Sequence, residues 1–107
     1  MSKKIPNHYL KVKEKHPEFM DAVEKLGETS KEAGPLDKKT AHLIQLAAAV
    51  ASHSEGSTHS HTRQLLQMGA NEAEIRHAII LLTNTIGFPN VMAGLTWAKD
   101  IIDAFNE

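Results

Sequence analysis

The chain has 107 residues, 41% hydrophobic and 23% charged, the proportions of an ordinary soluble globular protein and a length that fits one domain, residues 1–107. Lys and Arg number 12 against 13 Asp and Glu, so a net charge of −1 gives no field to attract nucleic acid or an anionic membrane. There is no cysteine, which excludes disulfides, thiolate metal sites and thiol catalysis in this chain, whereas seven histidines are an excess, four of them between His42 and His61.

The opening Met-Ser-Lys-Lys-Ile-Pro has no apolar stretch behind it and does not read as a signal peptide. The longest apolar run, Leu46 to Ala51, is too short to span a bilayer, so the expected location is cytoplasmic. Residues 3–15 are polar around Tyr9, Leu10 and Val12 and read as a short helix or arm with a solvated lysine-rich face. At His16-Pro17-Glu18 a helix begins, with proline at its first position, and Phe19, Met20, Val23 and Leu26 form its apolar stripe before Gly34-Pro35 ends it.

Asp37 then caps a helix that is apolar nearly all round and rich in alanine, the character of a central helix packed closely by others. Glu55-Gly56 interrupts the pattern, which predicts a sharp turn at Gly56 and a new helix from Ser57 to Met68, closed by Gly69 as a left-handed cap. Asn71-Glu72-Ala73-Glu74 has the form of a capping box and opens a helix predicted to run from Ile75 to Ile86. Gly87-Phe88-Pro89 ends it. The last helix starts at Pro89 and turns Val91, Met92, Leu95, Ala98, Ile101, Ile102 and Phe105 inward. No segment has strand-like alternation and no internal repeat is present, so the expected fold is all-α with five or six helices and short connections.

The segment Ser54-Glu55-Gly56-Ser57-Thr58-His59-Ser60-His61 carries the chemistry. Two serines flank a two-residue spacer, and a histidine follows four residues after the second. His42, Gln45, Ala49 and His53 lie along one stripe of the preceding helix; Ser57 and His61 share a face of the next, and His59 points to another side. A turn between the helices would gather His42, Ser54, Ser57 and His61 into one pocket. The ordinary role of the two serines is to cap the helix that follows. A nucleophilic serine would need His61 as its base. His61 itself reads either as a hydrogen-bonded histidine between helices or as an acid/base in a pocket. His42, His53, His59 and His61 are the histidines from which a metal site would be drawn, since imidazole suits Zn, Cu, Ni or Fe. Asn84, with Thr83 and Thr85, reads as helix–helix hydrogen bonding and Trp97 as a packing or subunit-interface residue.

The run His42-Leu-Ile-Gln-Leu-Ala-Ala-Ala-Val-Ala, then Ser-Glu-Gly-Ser, His61-Thr-Arg and Met68-Gly-Ala-Asn-Glu-Ala-Glu-Ile, followed by Gly87-Phe-Pro-Asn-Val-Met-Ala-Gly-Leu, resembles the carboxymuconolactone decarboxylase family, which includes the alkylhydroperoxidase D-like proteins. The likeness covers residues 36–105. It implies an alkylhydroperoxidase D-like helical bundle and a homo-oligomer, commonly a hexamer. In the family's peroxidase branch the pattern is Glu, Cys-x-x-Cys, His. Here the glutamate position is His42, the cysteines fall on Ser54 and Ser57, and His61 alone matches. A serine hydroxyl is no two-electron redox centre, so peroxidase activity does not transfer to this chain. The expectation is a cysteine-free member that keeps the pocket, needs no cofactor, and binds or transforms a small molecule. Two alternatives stand beside it. One is a lactone-decarboxylase type of enzyme with His61 as acid/base and Arg63 anchoring a carboxylate. The other is a peroxiredoxin-like thiol peroxidase present as a Cys-to-Ser form.

Overall fold

The computed structural model describes residues 5–107. The reading of the first four residues as no signal peptide lies outside them. Six helices of nine residues or more and one helical turn account for the described chain: α1 (Asn7–Lys15), α2 (Pro17–Glu32), α3 (Lys38–Ala51), α4 (Glu55–Gln67), α5 (Glu72–Ile80), α6 (Thr83–Ile86) and α7 (Phe88–Phe105). The all-α expectation is met. The chain divides into two compact units, residues 5–36 and Asp37–Glu107. No helix of the described residues is long and apolar enough to cross a membrane.

The first unit is the α1–α2 hairpin. Proline at the start of α2 supplies the fixed φ of a first helical turn, as its sequence predicts. Glu24 of α2 ties the helices together: the Tyr9 hydroxyl donates to it and the Lys13 Nζ pairs with it at 3.1 Å. Met20 is buried, whereas Phe19 and Leu26 of the same stripe remain 62% and 70% exposed.

In the second unit α3, α4, α5 and α7 enclose one core of Leu46, Val50, Leu65, Ala70, Ile75, Ile79, Val91, Ala98 and Ile102. Burying each of the larger members stabilises by about 1.5–3 kcal/mol. The ring of helices closes tightly at Gly94 of α7, where a Cβ would lie 2.6 Å from Val50 Cγ1. That close approach accounts for the glycine. Met92, expected inside, is exposed, so the buried stripe of α7 runs through Val91, Gly94, Ala98 and Ile102 instead.

The segment expected as one helix from Ile75 to Ile86 is two. The Asn71 capping box forms in full, with Asn71 Oδ1 accepting from Glu74 N and Glu74 Oε1 accepting from Asn71 N, so α5 starts at Glu72. The break comes at Leu81–Leu82. Thr83 Oγ1 donates to the Ile80 carbonyl at 2.7 Å, and the ladder tightens to three-residue steps through Leu82 N to Ile79 O and Thr85 N to Leu82 O. Thr83 thus bonds within its own segment, and Asn84 and Thr85 are exposed rather than bridging helices.

Candidate functional site

The site is built on the turn between α3 and α4, and that turn lies three residues before the glycine expected to make it. The α3 helix ends in a Schellman motif. Ser54 N donates to Ala49 O at 2.9 Å and His53 N to Val50 O at 3.0 Å, and the residue between cap and exit, His53, takes φ +60°. The same motif closes α4 around Gly69 at φ +94°, with Ala70 N bonded to Leu65 O and Gly69 N to Leu66 O. His53 therefore occupies the left-handed position that glycine usually takes, one of the few such positions histidine tolerates. Gly56 lies inside the first turn of α4, where a Cβ would meet nothing within 4 Å.

Ser54 finishes one helix and starts the next. Its backbone N–H closes the Schellman motif, and its Oγ accepts from Ser57 N at 3.1 Å as the N-cap of α4. Its carbonyl accepts from the Thr58 hydroxyl at 2.7 Å. Three consecutive roles on one residue leave almost no space between α3 and α4, which pack along their length. Ser57 gives its backbone N–H to this cap. The capping role foreseen for the serine pair thus belongs to Ser54, with the hydroxyl as acceptor.

The packing brings His42 of α3 and His61 of α4 together. Their Nδ1 atoms are 3.2 Å apart, and the rings are tilted at 55° with centroids 5.4 Å apart. His42 is buried, 3% exposed, while His61 is half-buried. A nitrogen–nitrogen hydrogen bond has room for one proton, so one ring holds it on Nδ1 and the other accepts. In the uncharged pair, the donor's Nε2 carries no proton and the acceptor's Nε2 carries N–H. Gaining a proton at the donor's Nε2, passing the shared proton across and losing the acceptor's Nε2 proton together exchange the two tautomers, so the pair can take a proton at one outer nitrogen and deliver one at the other. Elsewhere on these helices, Gln45 Oε1 of α3 and Thr62 Oγ1 of α4 are buried without a hydrogen-bond partner among the described residues. Each such atom costs about 1–3 kcal/mol when left without a partner.

The other candidates go elsewhere. His53 is an exposed turn residue. His59 faces α7, with Nε2 at 3.4 Å from Asp100 Oδ2 and 3.9 Å from Glu55 Oε2. His42, His53, His59 and His61 therefore do not gather their ligand atoms in one place; among the described residues the close cluster of possible ligands is Glu55, His59 and Asp100. Arg63 follows His61 by two positions and so leaves α4 on a different side, one turn beyond His59. It is half-buried, and loss of solvent holds its guanidinium below its ordinary pKa. Thr58 and Thr62, fully buried at consecutive turns of α4, were not foreseen; their four-residue spacing on an otherwise polar helix was the available signal.

The family model of the carboxymuconolactone decarboxylase family matches residues 17–100. The chain belongs to this family. Its fold is also that of apo-lpg0406, a carboxymuconolactone decarboxylase family protein from Legionella pneumophila, whose crystal structure superimposes with a TM-score of 0.78 at 27% identity, covering 94% of this chain and 88% of that one. No curated protein matches the chain. The pairing of His42 with His61 thus lies within the family match, with Ser54 as the N-cap and Ser57 in the first turn of α4.

Proposed function

We propose that this member of the carboxymuconolactone decarboxylase family binds or transforms a small molecule at the His42–His61 pair and carries out no thiol peroxidase chemistry. The observation that carries the reading is the 3.2 Å contact between the two Nδ1 atoms, one of them on a buried ring. Such a pair relays a proton without a metal or a thiol. The lactone-decarboxylase reading asks His61 and Arg63 to act on one substrate, and their two-residue spacing on α4 gives it no support. We further propose a homo-oligomer, since Leu81 and Phe88 around α6 stay 66% and 61% exposed in the single chain.

The test uses the wild-type protein, S54C/S57C and H61A with a hydroperoxide and a dithiol reductant, alongside thermal-shift screening of small polar lactones and carboxylic acids. Wild type is expected to give no peroxide turnover, and to be stabilised by a ligand whose effect H61A abolishes. Peroxide turnover by wild type overturns the proposal, as does ligand stabilisation that H61A leaves intact. Turnover by S54C/S57C at the level of a working peroxidase would favour the Cys-to-Ser reading instead.

A further inference from the structure

On the face of α4 away from the histidine pair, Glu55, His59 and Asp100 form a second cluster independent of the function proposed above. Glu55 and His59 are one turn apart on α4, and Asp100 reaches them from α7, which packs along α4. The ligand atoms of the three residues all lie within 4.8 Å of one another. His59 Nε2 is buried and has no hydrogen-bond partner among the described residues, yet it lies between two carboxylates, 3.4 Å from Asp100 Oδ2 and 3.9 Å from Glu55 Oε2.

From this geometry we infer that Glu55, His59 and Asp100 bind a first-row divalent cation such as Zn²⁺. Imidazole nitrogen and carboxylate oxygen sit about 2.0–2.2 Å from zinc, so two ligands at a tetrahedral angle are roughly 3.4 Å apart and at a wider angle near 3.9 Å. The two separations from His59 Nε2 are those chords. Two carboxylates and one neutral imidazole neutralise the ion and leave a coordination position for water. Both carboxylates are more than half exposed at the side chain, so they adjust to the ion at little cost, while His59 is the anchored member. Arg63, one turn beyond His59 on α4, makes no ion pair with Glu55 or Asp100. Binding requires the His59 tautomer with its proton on Nδ1; a protonated His59 would instead hold the two carboxylates as an ion pair.

Zinc titration of the full, tag-free chain after chelator treatment, followed by calorimetry and by metal analysis of the dialysed protein, separates these states. The expected result is one zinc per chain, with affinity lowered about ten-fold or more in each of E55Q, H59Q and D100N. H42Q, which alters the other histidine cluster, keeps that affinity. Helix content by circular dichroism checks each variant, and E55Q, changed at an exposed position, guards against a misfolded D100N. No zinc uptake overturns the assignment. Uptake that survives E55Q and D100N but is lost in H42Q also overturns it, because the ion then sits on the histidine pair.

Discussion

Replacing Gly94 by alanine tests whether the close approach of α7 to α3 and α5 holds the site in place. On an exposed helix the change would stabilise by about 1 kcal/mol, the propensity gap between the two residues. Here the added Cβ would sit 2.6 and 2.9 Å from the two Cγ atoms of Val50 and 3.2 Å from Ile79 Cγ2. Comfortable carbon contacts are about 3.5–4.0 Å, so the shortfall on Val50 approaches 1 Å. Rotating Val50 does not relieve it, since both of its methyl groups are in the way and a helical valine has essentially one χ1 state. Val50 and Ile79 are also fully buried and have no solvent to retreat into. Overpacking of this kind costs about 1–3 kcal/mol, and the upper part of that range outweighs the propensity gain by about 1–2 kcal/mol. At roughly 4–8 °C per kcal/mol, G94A should melt several degrees lower. Urea unfolding followed by circular dichroism, at one fixed protomer concentration so that self-association does not enter, measures the difference. Val50→Ala alone removes two methyl groups and should cost about 1.6 kcal/mol plus the cavity. In the G94A background it should cost far less, because the new methyl fills the space, giving a coupling of about 1–2 kcal/mol. A G94A protein more stable than wild type, or a double variant with additive losses, would refute the proposed close packing.

Two further outcomes follow from local geometry. Ser54→Ala removes the N-cap acceptor of α4 and should lower stability by about 1 kcal/mol, whereas Ser57→Ala, which gives only its backbone N–H to the cap, should stay within about 0.5 kcal/mol of wild type. Equal losses in a thermal melt would contradict the division of roles between the serines. At the surface, Lys39 holds the Glu74 carboxyl below its ordinary value of 4.5, helped by the Asn71 backbone, and Glu74 in turn raises the Lys39 ammonium. A carboxyl depressed by folding stabilises above its ordinary pKa and loses that contribution as pH falls through the lower folded value. Glu74→Gln should therefore lose a small amount of stability in the neutral region and converge on wild type toward pH 3, which flattens the acid limb of a stability-versus-pH curve, a result read from urea midpoints between pH 3 and about 7. An acid limb as steep as that of wild type would show the pair to be without effect.

Helix order was legible because the chain marks its own boundaries: Pro17 after His16, the Asn71–Glu74 box, Gly69 and Gly87 each punctuate where the structure turns. The α3–α4 turn was misplaced by three residues for a physical reason. A left-handed exit is usually glycine, so Gly56 drew the reading, while the residue that adopts it is His53, whose side chain gives no such signal. The break at Leu81–Leu82 was hidden in the same way, since it depends on which carbonyl the Thr83 hydroxyl takes. At the site, the stripes carrying His42 and His61 could be read from spacing alone, but their meeting depends on how α3 and α4 cross. Asp100 was out of reach of sequence reasoning, because its partners Glu55 and His59 lie more than forty positions earlier on another helix.

The position of Ser54 decides what its side chain can do at the start of α4. The first turn of a helix offers unpaired N–H groups and the positive end of the helix dipole, a setting that would favour a thiolate and lower its pKa. A serine in the same place meets those N–H groups differently. Its neutral oxygen accepts from Ser57 N, so the feature that would activate sulfur here fixes the hydroxyl as a structural cap. His61, the base that a nucleophilic serine would require, lies one turn past Ser57 with its Nδ1 already against His42. The Ser54 hydroxyl and the His61 Nδ1 are thereby engaged with different partners, Ser57 N and His42. Changes at Ser54 should be felt in stability, whereas proton-transfer chemistry in this chain should depend on His42 and His61.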